Sequence, residues 1–177
     1  MLATVSYNRE RAVEYAQKWA LSRNPLFFDF TGGGGNCTNF ASQCLLAGSL
    51  TMYEAQPFGW YYRSVTDRAP AWTGVEFFYN FITSTEEEGP FGTEVRRRGI
   101  RPGDVIQLAD SSGDFYHTLI VSAVNGLQIL VCAHSQDSLD RPLSSYNYAT
   151  ARFLRIEGAR VEVEDECFEG LIEGTSL

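Results

Sequence analysis

The sequence predicts an α+β fold, because helical hydrophobic patterns fill the first half of the chain and strand patterns fill the second half. Helices are predicted at residues 8–22, from 36 to about 48, and from 75 to about 85, the last opened by a capping box of Thr73 and Glu76. Strands are predicted at 105–108, 117–124, 127–134 and 152–156. With 177 residues, the chain can bury a core without metals or disulfides.

Composition and charge exclude several classes of function. The formal net charge is −8, but residues 157–177 hold seven acids and one base, so the remainder is nearly neutral. No basic surface typical of nucleic-acid binding is expected, and no apolar run is long enough to insert into a membrane. We therefore expect one domain over residues 1–156, followed by an acidic tail at 157–177.

The N terminus lacks the basic and apolar regions of a signal peptide. As written, the chain is expected to be soluble, and its compartment stays open between two alternatives, of which the first is the cytoplasm. A chain trimmed of a leader would instead belong outside the cell or in the cell wall.

The four cysteines are expected to be free thiols. They stand at positions 37, 44, 132 and 167, with no Cys-x-x-Cys pair. Cys37 and Cys44 are two helical turns apart, about 10.5 Å by helical rise, which is too far for a disulfide.

A glycine-rich stretch precedes the second predicted helix. Four glycines at 32–35 are followed by Asn36, a good N-cap residue, which places Cys37 in the first helical turn. Unpaired N–H groups there, around Asn36 and Thr38, stabilise a thiolate and can donate to an oxyanion. Because Gly35 has no side chain, an extended substrate can approach the backbone there closely. Phosphate binding is disfavoured, because the run does not end in Gly-Lys-Ser/Thr.

The segment at 51–73 is expected to be a loop rich in aromatic residues. Core filling is the favoured role for most of these side chains. Trp60 and Tyr61 are candidates for the wall of a substrate cleft.

A predicted hairpin brings the two histidines of the chain together. The strands 117–124 and 127–134 flank Asn125-Gly126, a strong hairpin signal. A two-residue turn at that dipeptide makes His117 and His134 direct cross-strand partners, with Cβ atoms about 4.5–5.5 Å apart.

These residues predict a nucleophile, a base and an orienting group. Cys37 is the predicted nucleophile, His117 the general base and acid, and His134 the residue that fixes the imidazole tautomer. Asp137, just past the strand, is an alternative orienting residue, and Ser135 is less favoured. The arrangement suits attack on an amide through a thioester.

Three structural alternatives remain open at this point. Cys37 could be a small buried hydrophobic residue, and the paired histidines could be structural. Zinc bound by Cys37, His117, Cys132 and His134 is a further alternative, but the ligand spacing of structural zinc sites is absent. We therefore expect no metal and no cofactor.

Several motifs, in order along the chain, resemble those of the bacterial putative amidase domain family, which is similar to NlpC-type and CHAP cysteine amidases and peptidases of the papain-like superfamily. The resemblance covers roughly residues 7–145 and rests on 7–16, Trp19, 23–25, 36–45, Met52, 59–62, Trp72, 103–107 and His117.

This resemblance implies a papain-like core, in which a helix bearing the cysteine packs on an antiparallel sheet bearing the histidine. It implies hydrolysis of amide bonds, with bacterial cell-wall peptides as the expected partner, and it makes Cys37 the nucleophile and His117 the base. A polar residue on the following strand in NlpC-type enzymes favours His134 as the third member. Asn36 departs from the family, which usually has Asp before the cysteine.

Two other functions are compatible with the same residues. An acyltransferase or transglutaminase-like enzyme would use the same cysteine and histidine with an amine in place of water. A catalytically inactive module would keep the cleft to bind peptides or glycans.

Overall fold

A computed structural model describes residues 1–163 of the chain. The helices are α1 (Arg9–Trp19), α2 (Cys37–Ser49), α3 (Pro70–Thr73) and α4 (Val75–Ser84), and short 3₁₀ turns lie at Arg97–Gly99 and Leu143–Ser145. Asn8 is the N-cap residue of α1, and its side chain accepts a hydrogen bond from the Arg11 amide. None of the helices within this range is long and apolar enough to cross a membrane.

Residues 1–163 also contain seven strands in one antiparallel sheet. The strands are β1 (Leu2–Val5), β2 (Gly89–Val95), β3 (Val105–Ala109), β4 (Phe115–Asn125), β5 (Gln128–Ala133), β6 (Ser138–Pro142) and β7 (Thr150–Glu162). Their order is β1-β7-β3-β4-β5-β6, and β2 also pairs with β7. Helices packed on this sheet confirm the predicted α+β class.

The sheet buries apolar side chains on both faces. Along β3, Val105 packs in the cluster that contains the helices, whereas its neighbour Ile106 packs in the cluster on the opposite face. Helix α2 lies deep in the first cluster, with Phe40 and Leu45 fully buried. Helix α2 is therefore a central, buried helix. Cys37 is its first residue and is held in place by this packing.

Close packing fixes α2 against α1. A Cβ atom on Gly48 would lie 2.2 Å from the Tyr7 ring, so only glycine fits there. The Tyr7 hydroxyl in turn donates to the carbonyl of Gly103, at 3.0 Å, just before β3. These contacts tie the helix pair to the sheet and set the position of the α2 N terminus.

The predicted register of the histidine hairpin is wrong. Asn125 pairs with Gln128, so the two turn residues are Gly126 and Leu127, and Gly126 has φ +62° at the first central position, as in a type II′ turn. A further shift between Val121 and Ala123 changes the register again. The pairs between β4 and β5 end at Ile120 and Cys132, so His117 does not pair with His134. On the other side of β4, His117 pairs with Leu108 of β3.

The start of α4 differs from the predicted capping box. Gly74 is the N-cap residue, and no side chain caps the helix. Glu76 instead forms a salt bridge with Arg152 on β7, at 3.0 Å. The salt bridge to Arg152 therefore takes the place of the predicted capping interaction of Glu76.

The predicted boundary at residue 156 falls inside β7. Residues 157–162, placed in the tail by the charge distribution, continue the strand, and Val161 and Glu162 pair with Ala3 and Leu2 of β1. The rest of the expected tail, at 164–177, lies outside the described residues. Strands β1, β2 and β6 have no counterpart in the sequence prediction.

Candidate active site

A cleft of about 550 Å³ lies where the N terminus of α2 meets β4. It brings together four residues that the sequence analysis named: Gly35, Cys37, His117 and the less favoured Ser135. Its other lining residues are Gly34 of the glycine run, Tyr116 of β4, and five residues in or next to β6: Gln136, Arg141, Ser145, Tyr146 and Asn147.

Cys37 is the first residue of α2 and is held against β4. The thiol lies 3.9 Å from the carbonyl oxygen of Tyr116, to which it can donate. The next helical residue, Thr38, is bonded through its hydroxyl to the Thr118 hydroxyl, at 2.9 Å. Both neighbours of His117 on β4 therefore contact the turn that carries Cys37.

His117 is a buried imidazole whose ring has no hydrogen-bond partner within residues 1–163; only 8% of its surface is exposed. The ring lies parallel to that of Tyr116, at 6.2 Å between centroids, and is tilted against Tyr146 at 5.9 Å. Burial, together with the positive charge of Arg141, lowers the pKa of His117 from 6.5 to about 4. The imidazole is therefore neutral at pH 7 and can accept a proton.

His134 lies apart from the cleft, between the end of α1 and the start of α2. Its Nε2 is 2.8 Å from the Trp19 carbonyl oxygen, and its Nδ1 is 2.7 Å from Nδ2 of Asn36. Because a carbonyl only accepts, Nε2 carries the proton and Nδ1 accepts from Asn36. The ring stacks on Phe40 at 4.0 Å, and burial lowers the pKa of His134. The expected contact between His134 and His117 is not formed.

Asn36 occupies the predicted N-cap position, but its side chain does not cap α2. The carboxamide oxygen instead accepts from the Phe30 amide at 2.9 Å and from the Asn39 side chain at 2.8 Å, while Nδ2 bonds His134. The backbone N–H of Asn36 donates to the Ser135 hydroxyl at 2.7 Å. Asn36 therefore joins the glycine-rich loop, α2 and the end of β5.

The first-turn amides differ in their availability. The N–H of Asn36 is used by Ser135, whereas the N–H groups of Cys37 and Thr38 have no acceptor within residues 1–163. The latter two can donate to a ligand beside the thiol.

Asp137, the alternative orienting residue, does not contact His117. Its carboxylate receives two hydrogen bonds from the Arg23 guanidinium, at 2.9 and 3.1 Å. Arg23 also lies 3.1 Å from Asp29, so Asp137 belongs to an ion-pair group outside the cleft lining.

Trp60 and Tyr61 do not line the cleft, which corrects the expectation for both. Trp60 is fully buried and donates through Nε1 to the Ser42 hydroxyl, and Tyr61 is 2% exposed and donates to Asp67. They fill the core, the role favoured for most aromatic residues of this segment. Gly35 does line the cleft; it has φ +103°, and a Cβ atom at this position would lie 3.4 Å from the Ser135 hydroxyl.

The zinc alternative finds no support in the part of the chain that the structure describes. No group of three or more His, Cys, Asp or Glu side chains there could hold a metal ion. Cys37, Cys44 and Cys132 are free thiols, as expected, while Cys167 lies outside the described residues. Burial raises the pKa of Cys132 to about 11, and its thiol lies 3.8 Å from Asp140.

Sequence reasoning missed six side chains of the cleft, among them Arg141 and Tyr146. Arg141 is carried by β6, a short strand whose sequence has no clear alternation, and Tyr146 follows a 3₁₀ turn. Arg141 is one of 14 basic residues, and no motif distinguishes it from the others. Only the tertiary structure brings it beside His117.

The fold and the cleft define an α+β domain in which a cysteine at a helix start and a neutral histidine on the sheet share one cavity. The chain belongs to the family described as Putative amidase domain, whose match covers residues 6–156. Membership of this family indicates a hydrolase.

A similar protein is known from Bacillus subtilis (strain 168), where it is named uncharacterized protein YhbB. It is 36% identical to this chain over 166 residues, which are 90% of this chain and 51% of YhbB. The chain therefore spans about half the length of this relative. No solved structure matches the chain significantly.

Proposed function

We propose that this protein is a cysteine-dependent amidase or peptidase, with Cys37 as the nucleophile and His117 as the general base and acid. The observation that supports this most strongly is the shared cleft, in which a thiol at a helix start faces the same cavity as an imidazole with unoccupied ring nitrogens. Membership of an amidase family is consistent with this chemistry.

In the first step, His117 accepts the Cys37 proton as Sγ attacks the carbonyl carbon of the amide. The carbonyl oxygen becomes an oxyanion, and the N–H groups of Cys37 and Thr38 are the proposed donors to it. The C–N bond then breaks, His117 gives its proton to the leaving amine, and an acyl thioester remains on Cys37.

In the second step, water replaces the amine. His117 accepts a proton from water as the hydroxide equivalent attacks the thioester carbon. The C–S bond breaks, the thiol of Cys37 regains its proton from His117, and the carboxylic acid leaves. With a pKa of about 4, the imidazole of His117 is neutral at pH 7, which is the form that accepts a proton.

The orientation of His117 is assigned to packing rather than to a third polar residue. The rings of Tyr116 and Tyr146 flank the imidazole, whereas both His134 and Asp137 are bonded elsewhere. His134 is proposed to position Cys37 indirectly, since it bonds Asn36, the residue before the nucleophile.

A papain-like core of the NlpC and CHAP type is also proposed. A central helix with the cysteine at its N terminus packs on an antiparallel sheet that carries the histidine, and this arrangement supports the assignment. The resemblance to cell-wall amidases then makes a peptide of the bacterial cell wall the proposed substrate.

The proposal is tested by incubating the protein with purified cell-wall fragments and with synthetic peptides, followed by mass spectrometry of the products. Release of a new amine and a new carboxylic acid by the wild type, with no release by Cys37→Ala, is the expected result. Cleavage by a folded Cys37→Ala variant at the wild-type rate contradicts it.

The same assay separates the two other functions. If adding methylamine diverts most of the product to an N-methylamide, the enzyme is an acyltransferase rather than a hydrolase. If fragments bind but are never cleaved, and Cys37 is unreactive, the protein is a binding module.

A further inference from the structure

Arg141 is the only charged side chain among the cleft-lining residues within 1–163. Its guanidinium is fixed in place: Nε donates to the Ser145 hydroxyl at 2.8 Å, and Nη2 donates to the Ser145 carbonyl at 3.1 Å. The guanidinium carbon lies 3.8 Å from the centroid of the Tyr146 ring. A long, flexible side chain is therefore held in one orientation at the cleft wall before any ligand arrives.

The charge of Arg141 has no counter-charge in the described part of the chain. No carboxylate lies within 4.0 Å of its guanidinium there, and Nη1 has no hydrogen-bond acceptor. The buried arginine of the sheet, Arg152, provides the contrast, since it pairs with Glu76 at 3.0 Å. An acidic chain of net charge −8 thus leaves a cation unpaired beside its candidate nucleophile.

Two further observations concern the groups next to Arg141. The hydroxyl of Tyr146 is buried and has no hydrogen-bond partner within residues 1–163. The positive charge of Arg141 also lowers the pKa of His117, so its field reaches the proposed base. A negatively charged group of a ligand would pair with the charge of Arg141 and could accept hydrogen bonds from the free N–H groups at the Nη1 end of its guanidinium.

We propose that Arg141 forms a carboxylate-binding subsite next to Cys37 and His117, so that the substrate is a peptide with a free carboxylate close to the bond that is cleaved. A guanidinium fork matches a carboxylate in two parallel hydrogen bonds. The carboxylate is either a C-terminal one or that of an acidic side chain. This inference rests on the proposed function of the cleft, but binding is measured without turnover.

The test is an NMR titration of the Cys37→Ala protein, which follows the ring signals of its two histidines. Sodium acetate and acetamide are the matched probes, with ionic strength held constant by sodium chloride. We expect acetate to shift the His117 signals and to bind about tenfold more tightly than acetamide, on the scale of a charge-assisted hydrogen bond. His134 is an internal control, because both of its ring nitrogens are already bonded.

Matched variants assign the effect to Arg141. In Arg141→Gln, the preference for acetate should disappear, whereas in Arg98→Gln, which removes the same charge from an exposed position, it should remain. A preference that survives Arg141→Gln, equal binding of the two probes, or no acetate-dependent shift of His117 would each overturn the proposal.

Two peptides then distinguish the sources of the carboxylate. Acetyl-Ala-Ala has a C-terminal carboxylate, and acetyl-Glu-Ala-amide has only a side-chain carboxylate. The peptide whose affinity depends on Arg141 identifies the source. The activity of Cys37→Ala tests the proposed catalysis separately from binding. Failure of the proposed amidase function and failure of the proposed carboxylate subsite can therefore be told apart.

Discussion

The two histidines of this chain lie in opposite surroundings. His117 lines a cleft beside Cys37, and its ring has no hydrogen-bond partner within residues 1–163. His134 is enclosed between α1 and α2, with both ring nitrogens bonded. Burial lowers the pKa of each. Burial and a lowered pKa are common to both, so the two histidines are distinguished by the unoccupied ring nitrogens of His117 in a cavity that it shares with Cys37.

The largest expected effect is that of Cys37→Ala. Loss of the nucleophile should reduce hydrolysis on the order of 10⁴-fold or more. The melting temperature should change by only a few degrees, because the thiol makes long contacts of 3.8 and 3.9 Å. Activity assays and thermal unfolding measure the two effects. Cys44→Ala is the matched control: Cys44 is fully buried in the core, so this variant should lose stability and keep its activity.

His117→Ala sharpens the comparison between the histidines. We expect turnover to fall about 10²- to 10⁴-fold, the usual contribution of a general base. The free energy of unfolding at pH 7 should fall by less than in His134→Ala, since the change removes the ring contacts with Tyr116 and Tyr146 but no hydrogen bond. Turnover within threefold of the wild type would remove His117 from the mechanism.

His134→Ala should act mainly on stability. The change leaves Nδ2 of Asn36 without a partner, removes one of the two hydrogen bonds to the Trp19 carbonyl, and opens a cavity against Phe40. We expect a loss of about 2–4 kcal/mol in the free energy of unfolding, measured with urea. A stability equal to that of the wild type would contradict the structural role.

Turnover in the folded His134→Ala protein should fall less than in His117→Ala and more than in Asp137→Ala. The reason is that His134 holds the residue before the nucleophile, whereas Asp137 bonds Arg23 outside the cleft lining. The reverse order of the last two variants would assign the orienting role to Asp137.

The smallest expected effect is on the pH dependence of stability. The pKa of His117 is about 4 in the folded protein and about 6.5 in an exposed chain, so between these values the unfolded state binds the proton more tightly. The free energy of unfolding should therefore fall as the pH drops from about 6.5 to about 4, by roughly 3 kcal/mol at most from this group. Urea unfolding at several pH values should show a shallower fall in His117→Ala. An unchanged slope would contradict the low pKa.

The structure places Cys37 and His117, both selected from local signals of the sequence, in one cleft. The glycine run fixed the start of α2, and the tertiary structure brought that start to β4. The pairing of His117 with His134 failed because it depended on register, which a type II′ turn and a shift near Ser122 altered. A sequence pattern cannot specify such a shift, since one residue reverses the face of a strand.

Long-range contacts account for the other differences. Strand β1 pairs with the end of β7, more than 150 residues away, so no local sequence signal predicts this pairing. Asn36 is a good N-cap by type, yet its carboxamide is used by Phe30, Asn39 and His134. Arg141 reaches the cleft only because β6 closes that edge of the sheet.

The most direct test of the central claim is the rate of Cys37 alkylation by iodoacetamide as a function of pH. Peptide mapping separates Cys37 from the other thiols, and the wild type is compared with His117→Ala and His134→Ala. The account predicts that Cys37 reacts much faster than Cys44 and Cys132, that His117→Ala removes this advantage, and that folded His134→Ala keeps most of it. Reaction of Cys37 at the rate of an ordinary thiol, or a rate unaffected by His117→Ala, would contradict it.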